Sequence, residues 1–295
     1  MNSYEILFIG HLATGTIISF KGTSFDEPAA GSPVLFSSIA AASLKRRIAL
    51  LTRFSGSDES LLTPLRAAGI DLFLRPGNVV RYRVVFPTAD VDRREPFLIE
   101  GSEPFTINDA PLIEPCLVHL CCIGERDFQL DLMQALKARG FRLSVDMQSF
   151  VLQADRDTGV VHLEDVPEKK EILAMTDFVK LDAAEARTLT GSEMPREQAE
   201  ILEDWGSSET ILTSSEGVLA RSKGKTLFAK FTNRSIRGRM GRGDTVIGSY
   251  LARRLDHSVE ESLRFAAALA SIKMESPGPF KGSLDDVAAR IEKFS

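Results

Sequence analysis

The chain has 295 residues, 36 Lys plus Arg against 41 Asp plus Glu, a formal charge of −5 and 43% hydrophobic residues. Such a composition excludes a mainly disordered chain, since there is ample apolar surface to offset chain entropy, and without fixed-period self-similarity a repeat array is excluded too. The mild acidity gives no global attraction for nucleic acid, and no apolar stretch approaches the length of a membrane span.

Short apolar runs alternate with helix-like stretches, the pattern of a layered α/β fold with a mostly parallel sheet. EILFIG (5–10) reads as the first strand and RIALLTR (47–53) as the second, with a buried helix between them in GSPVLFSSIAAASL (31–44). DESLLTPLRAAG (58–69) has the Asp58 cap and Gly69 stop expected of a helix. CLVHLCCI (116–123) is a buried strand, DFQLDLMQALKARG (127–140) a helix ending at Gly140, and FRLSVD (141–146) a strand that delivers Asp146 to its C-terminal end. DFVKL (177–181) leads into the helix of DAAEARTLTG; ETILT (209–213), VLAR and TLFAKFT read as further strands. Helices over about 244–255 and 259–274, and a terminal one from about Leu284, complete the chain.

IISFKGTSF (17–25) and VVRYRVVFPTADVDRREPFLIE (79–100) interleave charges with β-branched and aromatic residues. They read as a small β-sheet lid outside the main sheet, or as ordinary edge strands. Cys116, Cys121 and Cys122 form a poor disulfide framework and suit small buried hydrophobes in a reducing compartment. His11, His119, His162 and His257 have no zinc spacing with them. MNSYEILFIG carries neither a basic leader nor a cleavage site, so a cytoplasmic location is expected.

In open α/β sheets ligands bind beyond the carboxyl ends of the strands, so the chemistry should lie in loops that follow strands. Three stand out. In GRMGRGDTVIGSYLARRL (238–255), Gly238, Gly241 and Gly243 precede a helix, where backbone N–H groups can point at an anion. A carboxylate there is awkward for holding phosphate alone; Asp244 makes sense as a base that takes a proton from an attacking hydroxyl, or as a simple helix N-cap. In LDAAEARTLTG (181–191), Asp182 and Glu185 share a helix face and suit Mg²⁺ through water, or plain helix-dipole complementarity. In TSSEG (213–217), hydroxyls and a glycine could bond a nucleotide phosphate or form a common turn. No Walker A motif is present.

Charge is distributed unevenly. Positions 217–243 hold no acid and eight bases, leaving −13 on the remaining 268 residues. Four arginines, Arg234, Arg237, Arg239 and Arg242, crowd the approach to Gly243. This segment is either a solvated face or a collector of a small polyanion such as ATP.

Taken in order, these segments resemble the PfkB (ribokinase-like) family of carbohydrate kinases. LFIGHLATGTI is similar to its first strand and substrate loop, AAGSPVLFSSIAAASL to its glycine-pair motif and helix, and RFSGSDESLLTPLRAAGID to the segment after the second strand. LSVDMQSF, VKLDAAEARTLTG, GRGDTVIGSYLARRL and ALASIKMESPGPFKGS occupy the remaining positions.

The resemblance implies a ribokinase-like three-layer α/β/α, Rossmann-like core spanning 1–295 as a single domain, with lid strands inserted at about 12–27 and 79–101. It implies transfer of the ATP γ-phosphate to a hydroxyl of a small sugar, polyol or nucleoside. Asp244 then matches the base and Gly241, Arg242 and Gly243 the anion hole; Thr213, Ser214 and Gly217 match the nucleotide loop. Gly31 and Ser32 match the substrate motif, Asp182 and Glu185 the acidic motif that organises Mg²⁺, and the helix at 265–274 the adenine wall.

Departures are Gly15 in place of a substrate-binding Asp, Gly238 in place of the Asp opening the last motif, and Arg242 in place of a small residue. Ser214 replaces Gly, Ala30 replaces the first glycine of the pair, and Leu35 or Phe36 replaces a polar Asn. They motivate a second reading, a catalytically weak or inactive nucleotide- or sugar-binding regulatory protein on the same fold. A nicotinamide-dependent oxidoreductase is disfavoured because no G-x-G-x-x-G follows the first strand. Neither nucleic acid nor membrane is expected as a partner; a homodimer paired through the lid strands is.

Overall fold

The computed structural model describes residues 3–27, 32–56, 58–88, 95–121 and 128–294. Gly31, Ala30, Cys122 and the stretch 89–94 of the expected lid lie outside the described residues.

The chain opens on β1 (Ile6–Ile9), buried throughout, and crosses to β2 (Ala13–Ile18) and β3 (Ser24–Glu27) before α1 (Pro33–Ala42) returns it to β4 (Ile48–Arg53). The stretch expected as one Asp58-capped helix is a 3-10 turn, Glu59–Leu61, followed by α2 (Thr63–Ala67). Pro64 has no N–H to donate to the preceding turn, which divides the two, and Asp58 makes no cap bond but pairs with Arg81 at 3.2 Å. Next come β5 (Asp71–Arg75), β6 (Val80–Val85), β7 (Glu95–Glu100) and β8 (Leu117–Leu120). α3 (Leu130–Ala138), β9 (Arg142–Asp146), the single turn α4 (Gln148–Val151) and the hairpin of β10 (Leu152–Ala154) and β11 (Val161–Leu163) follow. α5 (Lys169–Met175), β12 (Phe178–Asp182), α6 (Ala183–Thr190) and α7 (Pro195–Asp204) lead to β13 (Glu209–Thr213), β14 (Gly217–Ser222) and β15 (Lys225–Lys230). The last helices are α8 (Arg242–Arg254), α9 (Val259–Met274) and α10 (Leu284–Phe294).

Nine strands form one sheet in the order β15-β14-β13-β12-β9-β8-β1-β4-β5. Pairing is parallel from β13 to β5, and β14 and β15 return antiparallel. Alternate residues of each strand feed opposite layers. Ile6, Phe8, Ile48 and Leu50 pack with Val34 of α1, Ile247 of α8 and Leu263 of α9. Leu7, Ile9, Ala49 and Leu51 pack with Leu132 of α3, Leu173 of α5 and Leu202 of α7. Burial on both faces is why these strands read as unbroken apolar runs. The result is the expected ribokinase-like α/β fold with a large mixed sheet between helical layers.

The two charge-interleaved segments do form a separate sheet, in the order β3-β2-β6-β7. Buried and half-buried residues alternate along β2, as expected of strands with one covered face. Ala13, Val80 and Tyr82 pack against Val161 of the β10–β11 hairpin, so that hairpin closes one side of the space beneath the lid. It also occupies part of the β7 edge, where the Leu98 N–H donates to the Gly159 carbonyl at 2.8 Å. Pairing between copies through the lid would therefore fall to the β3 edge.

Candidate active site

Parallel packing brings the C-terminal ends of β9, β12 and β13 side by side, and α8 starts directly above them. Lys180 sits opposite Asp146 in the β12–β9 register, and Asp182 opposite Thr213 in β12–β13. Lys180 Nζ lies 3.0 Å from Asp146 Oδ2 and 3.9 Å from Glu185 Oε2, with all three residues buried. Lys180 has no evident role within the strand DFVKL, yet in the fold it is the central charge of the cluster.

One ammonium therefore faces a surplus of carboxylates. Burial opposes the charge on Lys180, yet Asp146, Glu185, Asp244 and Asp182 together raise its pKa above the ordinary value. Burial pushes Asp146 up to about 6, with Asp244 adding to the rise and Lys180 opposing it. Glu185 is raised well above its usual range by burial and by Asp182. Both sides of the ion pair are raised because a single cation cannot neutralise every acid around it. Behind the cluster, burial and the charge of Lys180 lower His119 to about 3, and its ring bonds Ser144 at 2.9 Å, as a neutral core histidine does.

A pH dependence follows. The folded chain holds a proton on Asp146 up to about 6, whereas the free carboxyl loses it near 3.8. The group's contribution is thus fully present below about 3.8 and is lost as pH rises through about 6. Asp146→Asn, which has no proton to release, should flatten the fall in stability between those two values. Denaturation midpoints of both proteins across that range check this; parallel curves would contradict it.

At the head of α8, Gly241 takes the cap position with φ of +75°, so Asp244 is not an N-cap but lies inside the first turn. A Cβ on Gly241 would meet the Phe36 ring at 2.3 Å, and the turn rests directly on that ring. A Cβ on Gly243 would lie 3.2 Å from Lys180 Nζ and 3.6 Å from Thr213 Oγ1. The glycine-bearing start of α8 therefore packs against a buried ammonium, and a helix N-terminus beside a cation is an arrangement suited to an anion.

A cleft of about 590 Å³ joins these groups to the lid. Phe36, Lys180, Thr213, Ser214 and Arg239 through Asp244 line it, with Tyr82, Val84 and Pro96 from the lid, Gln148 from α4 and His162 from β11. Asp182 and Glu185 also reach it, but their carboxylates are engaged in a capping box. Asp182 Oδ1 accepts from the Ala184 and Glu185 N–H groups, and Glu185 Oε2 accepts from the Asp182 N–H. Among the described residues no group of three or more acids, histidines or cysteines is arranged to hold a metal.

Other expected site residues lie elsewhere. Gly217 does not line the cleft; it starts β14, where a Cβ would meet the Ala229 carbonyl oxygen at 2.3 Å, and its N–H donates to Ser214 Oγ. Ser32 is buried at the start of α1, its hydroxyl accepting from the Ala13 N–H at 3.3 Å, and the neighbouring Pro33 lines the cleft instead. Gly15 is in lid strand β2, opposite Tyr82.

The helix assigned to the adenine wall contributes no lining residue to the cleft. Instead the segment after β15 is bonded onto it. The Thr232 N–H donates to Ser271 Oγ at 2.8 Å, the Arg234 N–H to Glu275 Oε1 at 2.9 Å, and Arg290 to the Thr232 carbonyl at 2.9 Å. Gln148, at the start of α4, and His162, in β11, also line the cleft; neither stands out from the sequence, because both elements are too short to show a periodic pattern.

A three-layer α/β/α sheet with a glycine-bearing helix start, a carboxylate beside it and a lid above is the architecture of a kinase that acts on a small hydroxyl compound. A family model described as pfkB family carbohydrate kinase matches residues 162–285. The sulfate complex of a pyrophosphate-dependent kinase in the ribokinase family superimposes with a TM-score of 0.88 at 30% identity, covering 96% of this chain and 99% of that one. A pyrophosphate-dependent kinase of the same family, complexed with a pyrophosphate analog and myo-inositol, gives 0.87 at 29% identity, with the same coverage of 96% and 99%. Arabidopsis thaliana ribokinase, complexed with ribose and ATP, shares the fold with a TM-score of 0.71 at 15% identity over 99% of each chain. No curated protein sequence matches this one. The chain belongs to the ribokinase, or PfkB, family of carbohydrate kinases, enzymes that phosphorylate an alcohol group.

Proposed function

We propose that this kinase transfers a phosphoryl group from a phosphoanhydride donor to one hydroxyl of a small polyol of the inositol class. The observation that carries the proposal is the convergence of Asp244, Gly243 and buried Lys180 on a cleft that the lid also lines. In this reading Asp244 takes the proton as the acceptor oxygen forms its bond to phosphorus. The bond from phosphorus to the bridging oxygen breaks, and the leaving phosphate carries that oxygen away. The helix start at Gly241–Gly243 and the Lys180 ammonium hold the charge that builds on the transferred group.

Mg²⁺ would arrive bound to the donor, where it neutralises phosphate charge; Asp182 and Glu185, with their carboxylates already accepting N–H bonds, suit contact through its waters. The lid of β2, β3, β6 and β7 would exclude water from the acceptor, within one catalytic domain.

The donor expected from the sequence is ATP. The hydrogen-bonded seam between 231–237 and α9 favours inorganic pyrophosphate, a donor with no nucleoside to place there, and Arg239 and Arg242 line the cleft where its phosphates would sit. The pyrophosphate dependence of the relatives at 29–30% identity supports the same choice. Pyrophosphate also suits the positive segment 217–243, which carries eight bases and no acid.

Phosphorus NMR of the chain with Mg²⁺, myo-inositol and either donor tests this. Pyrophosphate should yield a phosphomonoester and orthophosphate, with little turnover of ATP. Turnover with ATP alone would restore the nucleotide as donor. Binding without transfer to any inositol, sugar or nucleoside would favour the regulatory reading.

A further inference from the structure

Lys273, in the last turn of α9, is 2% exposed, and its ammonium is turned inward beneath the helix-start turn. It donates to two backbone carbonyls of that turn, Gly238 O and Met240 O, and lies 4.6 Å from the centre of the Phe36 ring on which Gly241 rests. The Gly238 N–H in turn donates to the Met274 carbonyl at 2.8 Å. There is no room for a side chain at 238: a Cβ would stand 1.9 Å from the Ser276 carbonyl oxygen.

Carbonyl dipoles converging on one point repel one another and splay the loop unless a cation sits between them. We infer that Lys273 is a built-in counter-cation, a positioning residue that fixes the turn 238–241 so that the start of α8 at Gly241–Gly243 is held against the cleft. This rests on the phosphoryl-transfer reading of that turn. A helix C-terminus favours a cation, and a ring face adds to it, so the ammonium is held from three sides. The same geometry accounts for two departures from the family pattern. Phe36 in place of a polar residue supplies the ring, and Gly238 in place of Asp lets the loop lie flat on the end of α9.

Backbone carbonyls of this kind replace the hydration shell of a desolvated monovalent cation as readily as they bond an ammonium. The wild-type enzyme should therefore run at the same rate in potassium, sodium or tetramethylammonium buffer. Lys273→Met should lose about a hundredfold in kcat, the scale of one misplaced oxyanion donor, with the acceptor KM little changed. Potassium or ammonium ions, entering the vacated space, should restore much of that rate, while tetramethylammonium, too large for the space, should not.

If Lys273→Met does not fold, Lys273→Gln, which keeps a donor without the charge, is read in its place. A wild-type rate that rises with potassium, a folded variant with undiminished kcat, or a loss that no small cation repairs would each overturn the inference. Should the wild type transfer no phosphate at all, calorimetry of orthophosphate binding decides it separately. Affinity should fall in the variant and return with potassium, and affinity equal to wild type would overturn the assignment.

Discussion

Asp244→Asn should lower kcat by about 10²–10⁴-fold, the usual worth of a general base, while leaving pyrophosphate and polyol binding in place. The carboxylate lies within the first turn of α8 and lines the cleft beside the anion-binding turn. Asparagine keeps the shape and a hydrogen-bonding oxygen but cannot accept the hydroxyl proton. Removing a negative charge also eases the approach of a polyanionic donor, so donor affinity should hold or tighten as turnover falls. That split between kcat and binding separates loss of a base from loss of the site. Steady-state rates and calorimetry on the one variant read both quantities, and an unchanged kcat would remove Asp244 from the reaction.

Lys180→Met should have two separable effects. Without the ammonium, Asp146 and Glu185 are left buried without their cation, which typically costs about 3–5 kcal/mol when one partner of a buried pair is removed. Transfer should fall by about 10²–10³-fold, comparable with deletion of one oxyanion donor. Lys180→Arg distinguishes the two, since it keeps the charge while displacing it from the gap under Gly243. It should retain most of the stability and still lose turnover. An arginine variant with wild-type kcat would reduce Lys180 to a structural ion.

The layered architecture was legible because both faces of the sheet are buried. EILFIG and RIALLTR are apolar on consecutive residues, which few other contexts tolerate, and the lid segments carry charges a two-sided core would reject. Asp244 was legible for a local reason: glycines placed just before an apolar-faced helix have a physical purpose within a few residues. β5, α5, α7 and the β10–β11 hairpin were missed because their patterns are short or weak; α7 buries only Gln198, Ala199 and Leu202.

What stayed hidden in the site is long-range. Lys180 looks like a stray charge in DFVKL, and its meaning comes from Asp146, brought alongside only by the β9–β12 register. Lys273 occupies a helix whose other members pack the core, and its carbonyl partners come from a loop 35 and 33 residues earlier in the chain. Asp182 and Glu185, three apart, form a capping box at the start of α6, a pairing that the spacing alone does not distinguish from a metal motif. Gly217 sits where the strand pairing demands a close backbone approach, a constraint that only the fold reveals.

The most direct measurement is a crystal structure of the Asp244→Asn variant with Mg²⁺, a pyrophosphate analogue and myo-inositol. One inositol hydroxyl should lie within hydrogen-bond distance of residue 244, about 3 Å, with the facing phosphate group against the helix start at Gly241–Gly243 and Lys180 Nζ. A polyol bound away from residue 244, or a donor seated outside that turn, would contradict the account.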